Sequence, residues 1–367
     1  MSAPTAAAEG RPAGKTKVLI VDDSPMMRRM LIDIVNGAGD MRVVGTAADP
    51  IAAHEMIKAL DPDVLTLDVE MPKMDGIEFL RRLMRFRPMP VVMVSSFTEA
   101  GSEQALKALE IGAVDFVAKP AQGLKHADFA GELRDKIRSA CASRSAAGTR
   151  SAVERRPAAP PTPAAVRPGW RPAPEDLVLI GASTGGTEAL KEVLVALPES
   201  APGILIVQHM PQSFTSSFAR RLDSLCRIHV KEAEHGDRIK PGTAYVAPGH
   251  SHLLVRKSGA GYQAELSQAE PVNRHRPSVD VLFRSAAACA GRHAIGVILT
   301  GMGKDGAAGM LDMKRAGAWN IAQDQESCVV YGMPREAVAL RAVDEVIPLS
   351  EIGAKLMSRL YAQGRGG

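Results

Sequence analysis

The feature that most limits what this chain can become is a repeated one. An apolar run at 17–21 stops abruptly at Asp22 and Asp23, and similar short runs recur at 43–44, 64–67, 91–94 and 114–117. Runs this short and this uniformly apolar read as strands buried on both faces. Between them lie 27–35, 51–60, 77–84 and 103–111, whose apolar residues fall at helical spacing. Five strand-then-helix repeats predict a doubly wound, five-stranded parallel sheet with helices on both faces.

That repeat occupies only the first third of 367 residues, and with 46% hydrophobic residues there is apolar material for a second core. From about Ser139 to Pro174 the composition turns to Ala, Arg, Ser and Pro, and Pro157, Pro160, Pro161, Pro163, Pro168, Pro172 and Pro174 oppose regular structure. The expected organisation is a disordered start at 1–15, a first domain at 16–138, a linker at 139–174 and a second domain at 175–367. The linker's first residues continue the preceding helix. In the second domain, 177–180, 204–207 and 295–299 read as buried strands, and 281–290 and 307–315 as helices. Gly242, Pro248 and Gly249 punctuate 243–246, 252–255 and 262–266, a pattern that favours hairpins over crossover helices. The second domain is therefore expected to be α/β, with a mainly parallel sheet and an antiparallel excursion.

Several function classes are disfavoured. The net charge of +4 includes no dense Lys/Arg block, and aromatic residues make up 4% of the chain, so neither a phosphate-tracking groove nor a base-stacking platform is suggested. Nucleic acid is not an expected partner. Cys141, Cys226, Cys289 and Cys328 are widely spaced, without metal or disulfide patterning, which fits a reducing cytoplasm. No apolar run approaches the roughly 20 residues needed to span a bilayer, and no membrane insertion is expected.

Strand ends in a parallel sheet share one crevice, so Asp22 and Asp23 after the first strand and Asp68 after the third converge. Carboxylate oxygens without nitrogen or sulfur suit Mg2+, which takes one or two carboxylates and can share a phosphoryl oxygen. Asp68, followed by Val69-Glu70-Met71-Pro72, is the expected phosphoryl acceptor. Ser95 and Lys119, each at a later strand end, offer a hydroxyl and an ammonium to phosphoryl oxygens. The ordered set VDDS, LDVEMPKMDG, VVMVSS and DFVAKP resembles the receiver domains of two-component response regulators. That resemblance implies the flavodoxin-like fold and phosphorylation of Asp68 by a histidine kinase. It also implies metal ligation by Asp23, Asp68 and the Glu70 carbonyl, help from Asp22 through water, and phosphate sensing by Ser95 and Lys119. Phe116 takes the aromatic switch position without the hydroxyl of a tyrosine; core packing explains it equally well.

In LVLIGASTGGTEAL, Ser183 follows an apolar strand and precedes a helix, with Gly181, Gly185 and Gly186 permitting a sharp turn. Such a turn can present a nucleophile and aim backbone N–H groups at an oxyanion, and it serves equally to bind phosphate. A serine nucleophile needs a base and an orienting acid. His209 emerges after the run 204–208, and Asp305 follows 295–299, so the three should meet at one sheet edge. The order Ser, His, Asp departs from that of α/β-hydrolases. His250 and His252 flank Ser251 without a third ligand and read as solvent-facing.

GASTGG, VQHMP and LTGMGKDG resemble the catalytic domain of chemotaxis-specific protein-glutamate methylesterases, which also deamidate receptor glutamines. The resemblance covers nearly the whole chain outside the start and the linker. It implies Ser183 as nucleophile, His209 as base, Asp305 as orienting carboxylate and the Met302 backbone N–H as oxyanion donor, with no cofactor in this half. The implied substrate is a methyl-accepting chemotaxis receptor. The segment NRHRPSVDVLF, 273–283, is similar to a family segment near the substrate cleft, but a loop entering a helix explains any one of its residues as well. A rival reading is a noncatalytic output module for a nucleotide or another protein, with Ser183 capping a bound anion.

Overall fold

The computed structural model describes residues 14–71, 75–96, 98–120, 126–148 and 169–363. Most of the disordered start expected at 1–15, part of the LDVEMPKMDG motif (72–74) and the proline-rich centre of the expected linker lie outside the described residues. The first half runs β1 (Thr16–Val21), α1 (Pro25–Asn36), β2 (Met41–Ala47), α2 (Pro50–Leu60), β3 (Val64–Asp68), α3 (Gly76–Phe86), β4 (Val91–Ser95), α4 (Glu99–Ile111), β5 (Asp115–Ala118) and α5 (His126–Gly148). Its five strands form a parallel sheet in the order β2-β1-β3-β4-β5. β3 and β4 are buried throughout, as strands covered on both faces must be. Short polar residues start the helices: the Ser24 hydroxyl accepts from Met27 N–H, Asp49 accepts from Ile51 and Ala52 N–H, and a proline follows each cap. α5 extends beyond residue 138, carrying helix into the segment assigned to the linker.

The second half contains β6 (Leu177–Ala182), α6 (Gly186–Val195), β7 (Gly203–Gln208), α7 (Gln212–Leu225), β8 (His229–Glu232), β9 (Thr243–Val246), β10 (His252–Ser258), β11 (Gly261–Ser267) and α8 (Val279–Cys289). It continues, after a 3-10 turn at Gly291–His293, with β12 (Ala294–Ile298), α9 (Ala307–Arg315), β13 (Trp319–Gln323), α10 (Met333–Ala339), β14 (Glu345–Ile347) and α11 (Leu349–Gln363). Seven strands form a parallel sheet in the order β14-β13-β12-β6-β7-β9-β8, and β10 and β11 form a separate antiparallel hairpin. The chain leaves β6 towards β7 and later returns to β6's other side with β12, so a crevice opens beyond the carboxyl ends of these strands.

One strand departs from the sequence expectation. The segment 243–246 joins no hairpin: β9 lies between β7 and β8, parallel to both. The crossover from β8 contains no helix. It is tied down by polar contacts instead, with Tyr245 donating its hydroxyl proton to the Arg238 carbonyl at 2.7 Å and Arg238 bridging to Gln263 of the hairpin. Glycine and proline spacing reports a turn but carries no information about strand direction.

Buried apolar residues gather in three clusters, and one of them runs through both halves of the molecule. It passes from Leu106 and Phe116 in the first half to Phe214 and Phe218 in the second. The Phe116 and Phe214 rings stack at 4.2 Å between centroids, both nearly inaccessible to water. Ser102 Oγ donates to the Ser213 carbonyl at 2.7 Å, and Arg221 pairs with Glu110. None of the four cysteines is in a disulfide. Phe214→Ala removes a fully buried ring from this shared core and is expected to cost about 3–5 kcal/mol; a denaturant midpoint unchanged from wild type would contradict the shared packing.

Candidate functional site

Two sites sit at carboxyl edges of the parallel sheets. In the first, Asp22 and Asp23 follow β1 and Asp68 ends β3, and a carboxylate oxygen from each lies within 4.8 Å of the others. Asp22 and Asp68 are buried and Asp23 is exposed, so the cluster opens to solvent on one side. Lys119 Nζ donates to Asp68 Oδ2 at 2.7 Å and lies 3.4 Å from Asp22 Oδ2. Burial pushes the Asp68 carboxyl up to about 6, against the lowering effect of Lys119. Asp22 is also raised, mainly by burial, and its Oδ2 is buried without a hydrogen-bond partner. Three carboxylates facing one ammonium leave negative charge and an unsatisfied oxygen, and this all-oxygen donor set fits Mg2+.

The remaining expected residues of this pocket fall into place unevenly. Glu70 follows Asp68 by two residues; its N–H donates to Asp68 Oδ1 at 3.2 Å, and its side chain accepts from Ser96 Oγ at 2.9 Å. Ser95, fully buried at the end of β4, donates to the Gly101 carbonyl at 2.8 Å rather than to Asp68. Phe116 on β5 faces the second half of the molecule through Phe214.

The second site is built at the crevice beside β6. Ser183 is the first residue after β6, in the turn before α6, and its N–H donates to the Thr300 carbonyl at 3.0 Å. Gly185, in the left-handed region at φ +78°, completes this turn. A Cβ at Gly301 would come within 2.7 Å of Ser183 Cβ, so only glycine lets the β12 loop approach the serine this closely. His209, directly after β7, donates its backbone N–H to Ala182, and the Gln208 side-chain amide donates to the Ser183 carbonyl at 2.9 Å. Met302 and Asp305 lie on the loop between β12 and α9.

His209 and Asp305 meet: His209 Nε2 lies 2.8 Å from Asp305 Oδ2. With a proton on Nε2 donated to the carboxylate, Nδ1 carries the lone pair, and it is buried without a hydrogen-bond partner. The Asp305 carboxylate is almost fully buried, yet its oxygens accept from five groups. Besides His209, Ser278 Oγ and Asn273 Nδ2 donate to Oδ1 at 2.7 Å, Val279 N–H to Oδ2 at 2.7 Å and Asp280 N–H to Oδ1 at 3.2 Å. The two N–H groups open α8, so its dipole also favours this anion. Burial alone would raise the carboxyl; hydrogen bonds from His209, Asn273 and Ser278 instead hold it well below the usual carboxylate range.

Most of this support comes from the segment 273–280, which sequence reasoning kept outside the catalytic set. Asn273 also donates to buried Asp280, whose other oxygen accepts from Gly309 N–H at 2.7 Å. His275 lies flat against His209, with centroids 3.7 Å apart and the rings 10° from parallel. Loss of hydration, then the neighbouring His209, push His275 down to about 3. Serine ahead of an apolar helical run was the readable signal, since Ser278 is the N-cap of α8. No pattern marked a ring stack. Of the two histidines read as solvent-facing, His252 requires a correction: it is 1% exposed. Its Nε2–H donates to the Glu270 carbonyl and its Nδ1 accepts from Ser278 N–H, fastening the loop that reaches Asp305. Its start on β10 turns it inward against that loop.

The first half touches this site directly. Thr184 Oγ1, one residue beyond Ser183, donates to Asp115 Oδ2 at 2.6 Å. Asp115 Oδ1 accepts from Lys136 of α5 at 2.9 Å, Ser139 Oγ donates to Met302 Sδ at 3.0 Å, and Arg274 lies 3.3 Å from Asp135.

Residues 178–356 match the family model described as CheB methylesterase, and residues 18–127 match that of the response regulator receiver domain. A protein-glutamate methylesterase/protein-glutamine glutaminase of Nitrosomonas europaea is 59% identical over 353 residues, covering 96% of this chain and 98% of its own. The chain belongs to this family of hydrolases. A relative of the same name from Burkholderia pseudomallei is 62% identical, with 95% of this chain and 98% of that one covered. Among solved structures, the Thermotoga maritima CheB methylesterase catalytic domain is 42% identical, covering 50% of this chain and 98% of that chain with a TM-score of 0.49. The response regulator domain of Thermotoga maritima CheB is 45% identical, covering 35% and 97%, with a TM-score of 0.33.

The displaced His275 sets a pH dependence of stability. Its folded-state value near 3 lies below the ordinary 6.5, so on acidification the unfolded chain takes up a proton that the folded one refuses. Stability contributed by neutral His275 is complete above about pH 6.5 and declines as pH falls towards 3. His275→Phe is expected to lose less thermal stability than wild type between about pH 7 and pH 4. Parallel melting curves for the two proteins across that range would contradict the shift.

Proposed function

We propose that the chain hydrolyses glutamyl methyl esters on methyl-accepting chemotaxis receptors, deamidates receptor glutamines, and does so under control of phosphorylation at Asp68. The observation that carries this reading is the His209–Asp305 pair, whose unpartnered Nδ1 lies at the sheet edge where β6 delivers Ser183. Ser183 Oγ attacks the ester carbonyl while its proton passes to His209 Nδ1. Asp305 orients the imidazole and balances the imidazolium, and the Met302 backbone N–H donates to the developing oxyanion. His209 returns the proton to the leaving methoxide, which departs as methanol. A water then gives its proton to His209 as its oxygen attacks the acyl-serine carbonyl, and the proton goes back to Ser183 as the glutamate is freed. With a glutamine the leaving group is ammonia. No cofactor is needed in this half.

In the receiver, a histidine kinase is the proposed phosphodonor to Asp68. Asp22, Asp23, Asp68 and the Glu70 carbonyl would hold Mg2+, which supplies charge neutralisation for the incoming phosphoryl group. Lys119, Ser95 and Phe116 are the proposed phosphate sensors. The proposed domain division is a receiver at 16–138, a linker at 139–174 and a catalytic domain at 175–367. The proposed location is the cytoplasm; among the described residues no helix is long and apolar enough to cross a membrane.

The contacts of Asp115, Asp135 and Ser139 with Thr184, Arg274 and Met302 support a receiver that restrains the catalytic loops. Phosphorylation replaces the single charge of the Asp68 carboxylate with a phosphoryl group carrying roughly −1.5 to −2, and Lys119 shifts from the carboxylate oxygen to a phosphoryl oxygen, which repacks β5. Two measurements test the reading. Ser183→Ala should lower methanol release from methylated receptor by about 10⁴- to 10⁶-fold with the fold retained; undiminished release would remove Ser183 from the mechanism. Full-length Asp115→Ala should release methanol faster than wild type before phosphodonor is added, and equal rates in phosphorylated and unphosphorylated wild type would reject the gating.

A further inference from the structure

The proposed triad leaves His275 without a task, although no other ring touches His209 as closely among the described residues. His275 is held firmly. Its N–H and carbonyl exchange hydrogen bonds with Val272 at 2.9 and 3.1 Å, and the tight turn between them places Asn273 and Arg274 at φ +53° and +70°. Asn273, two residues earlier, is anchored on Asp305 and Asp280. The segment therefore grips both partners of the base–acid pair: the Asn273 amide holds the carboxylate, and the His275 ring covers one face of the imidazole.

Both nitrogens of His209 lie in its ring plane, one on Asp305 and the other without a partner. An imidazole pinned by a single hydrogen bond can still swing about its χ angles, and a ring packed flat against it opposes that motion. The charged and titratable groups around His275 are His209, Asp305, Arg274 and Lys136. Two of these are cations, which favours a neutral ring whose π face lies against the imidazolium. We propose that His275 is a positioning residue for His209, acting through its aromatic face rather than its nitrogens: it keeps the base in line with Asp305 and shields it from water while it carries the proton. This inference rests on the Ser183–His209–Asp305 reading.

The experiment compares His275→Ala, His275→Phe and His275→Gln in the full-length, phosphodonor-activated protein, with Ser183→Ala and His209→Ala alongside. The readouts are methanol release from methylated receptor and circular dichroism. Loss of the ring should lower kcat about 10- to 100-fold, the scale of a misplaced catalytic group, and leave KM within about threefold, as expected when an interaction acts mainly in the transition state. His275→Phe should restore most of kcat and keep the acid limb of the pH–rate profile, whereas His275→Gln should resemble His275→Ala. Phe as impaired as Ala, or Gln as active as wild type, overturns the aromatic-face role, and so does wild-type turnover in His275→Ala. Should His275→Ala fail to fold, the Phe and Gln variants decide the matter between them. Full activity in Ser183→Ala or His209→Ala removes the underlying reading itself; their collapse together with an inactive, folded Phe variant removes only the role of His275.

Discussion

A buried carboxylate has to be held by donors, and the catalytic half is arranged around meeting that demand for Asp305. Without donors, an ionised carboxylate at 1% exposure would take up a proton. It keeps its charge because α8 begins at it, because Ser278 and Asn273 turn their side chains to it, and because His209 donates to it. Each hydrogen bond to a charged group contributes about 1.5–3 kcal/mol, so together they outweigh the loss of hydration. The same requirement sets the order of the parts. α8 must start where β12 ends, the 268–278 loop must return over the sheet, and buried His252 must fasten that loop from behind.

The receiver pocket solves the opposite problem. There the acids outnumber their cation, and Asp68 is pushed up to about 6 because burial outweighs what Lys119 provides. One site thus stabilises its anion completely, and the other leaves its anions short of positive charge. The first arrangement suits an acid that must stay ionised to orient a base. The second suits a pocket completed by a metal ion and a phosphoryl group.

Much of this was readable from residues alone, for identifiable reasons. Parallel strands buried on both faces announce themselves as uniform apolar runs, so β1, β3, β4, β6, β7 and β12 were legible, and with them the chain positions where Asp22, Asp68, Ser183 and His209 emerge. Asp305 was legible as the residue closing the loop after β12. The direction of β9 was not, because a four-residue strand carries the same pattern whichever way its neighbours run. The ring stack of His275 on His209 was not either, since it joins residues 66 positions apart through a turn whose shape depends on Asn273 and Arg274 in the left-handed region. Buried His252 was misread because alternation along β10 does not say which face the rest of the chain will cover.

The core shared through Phe116 and Phe214 bears on how far the two halves are separable parts. Here the strand that ends the receiver sheet supplies both a ring for Phe214 and a carboxylate for Thr184, and adjacent residues, Phe116 and Asp115, supply them. A transplanted receiver lacking that aromatic–acid pairing would strand a buried phenyl face and a buried hydroxyl at once. Inheritance of this chain therefore has to preserve the junction as a unit, and a change on β5 calls for an answering change on α7 or beside Ser183.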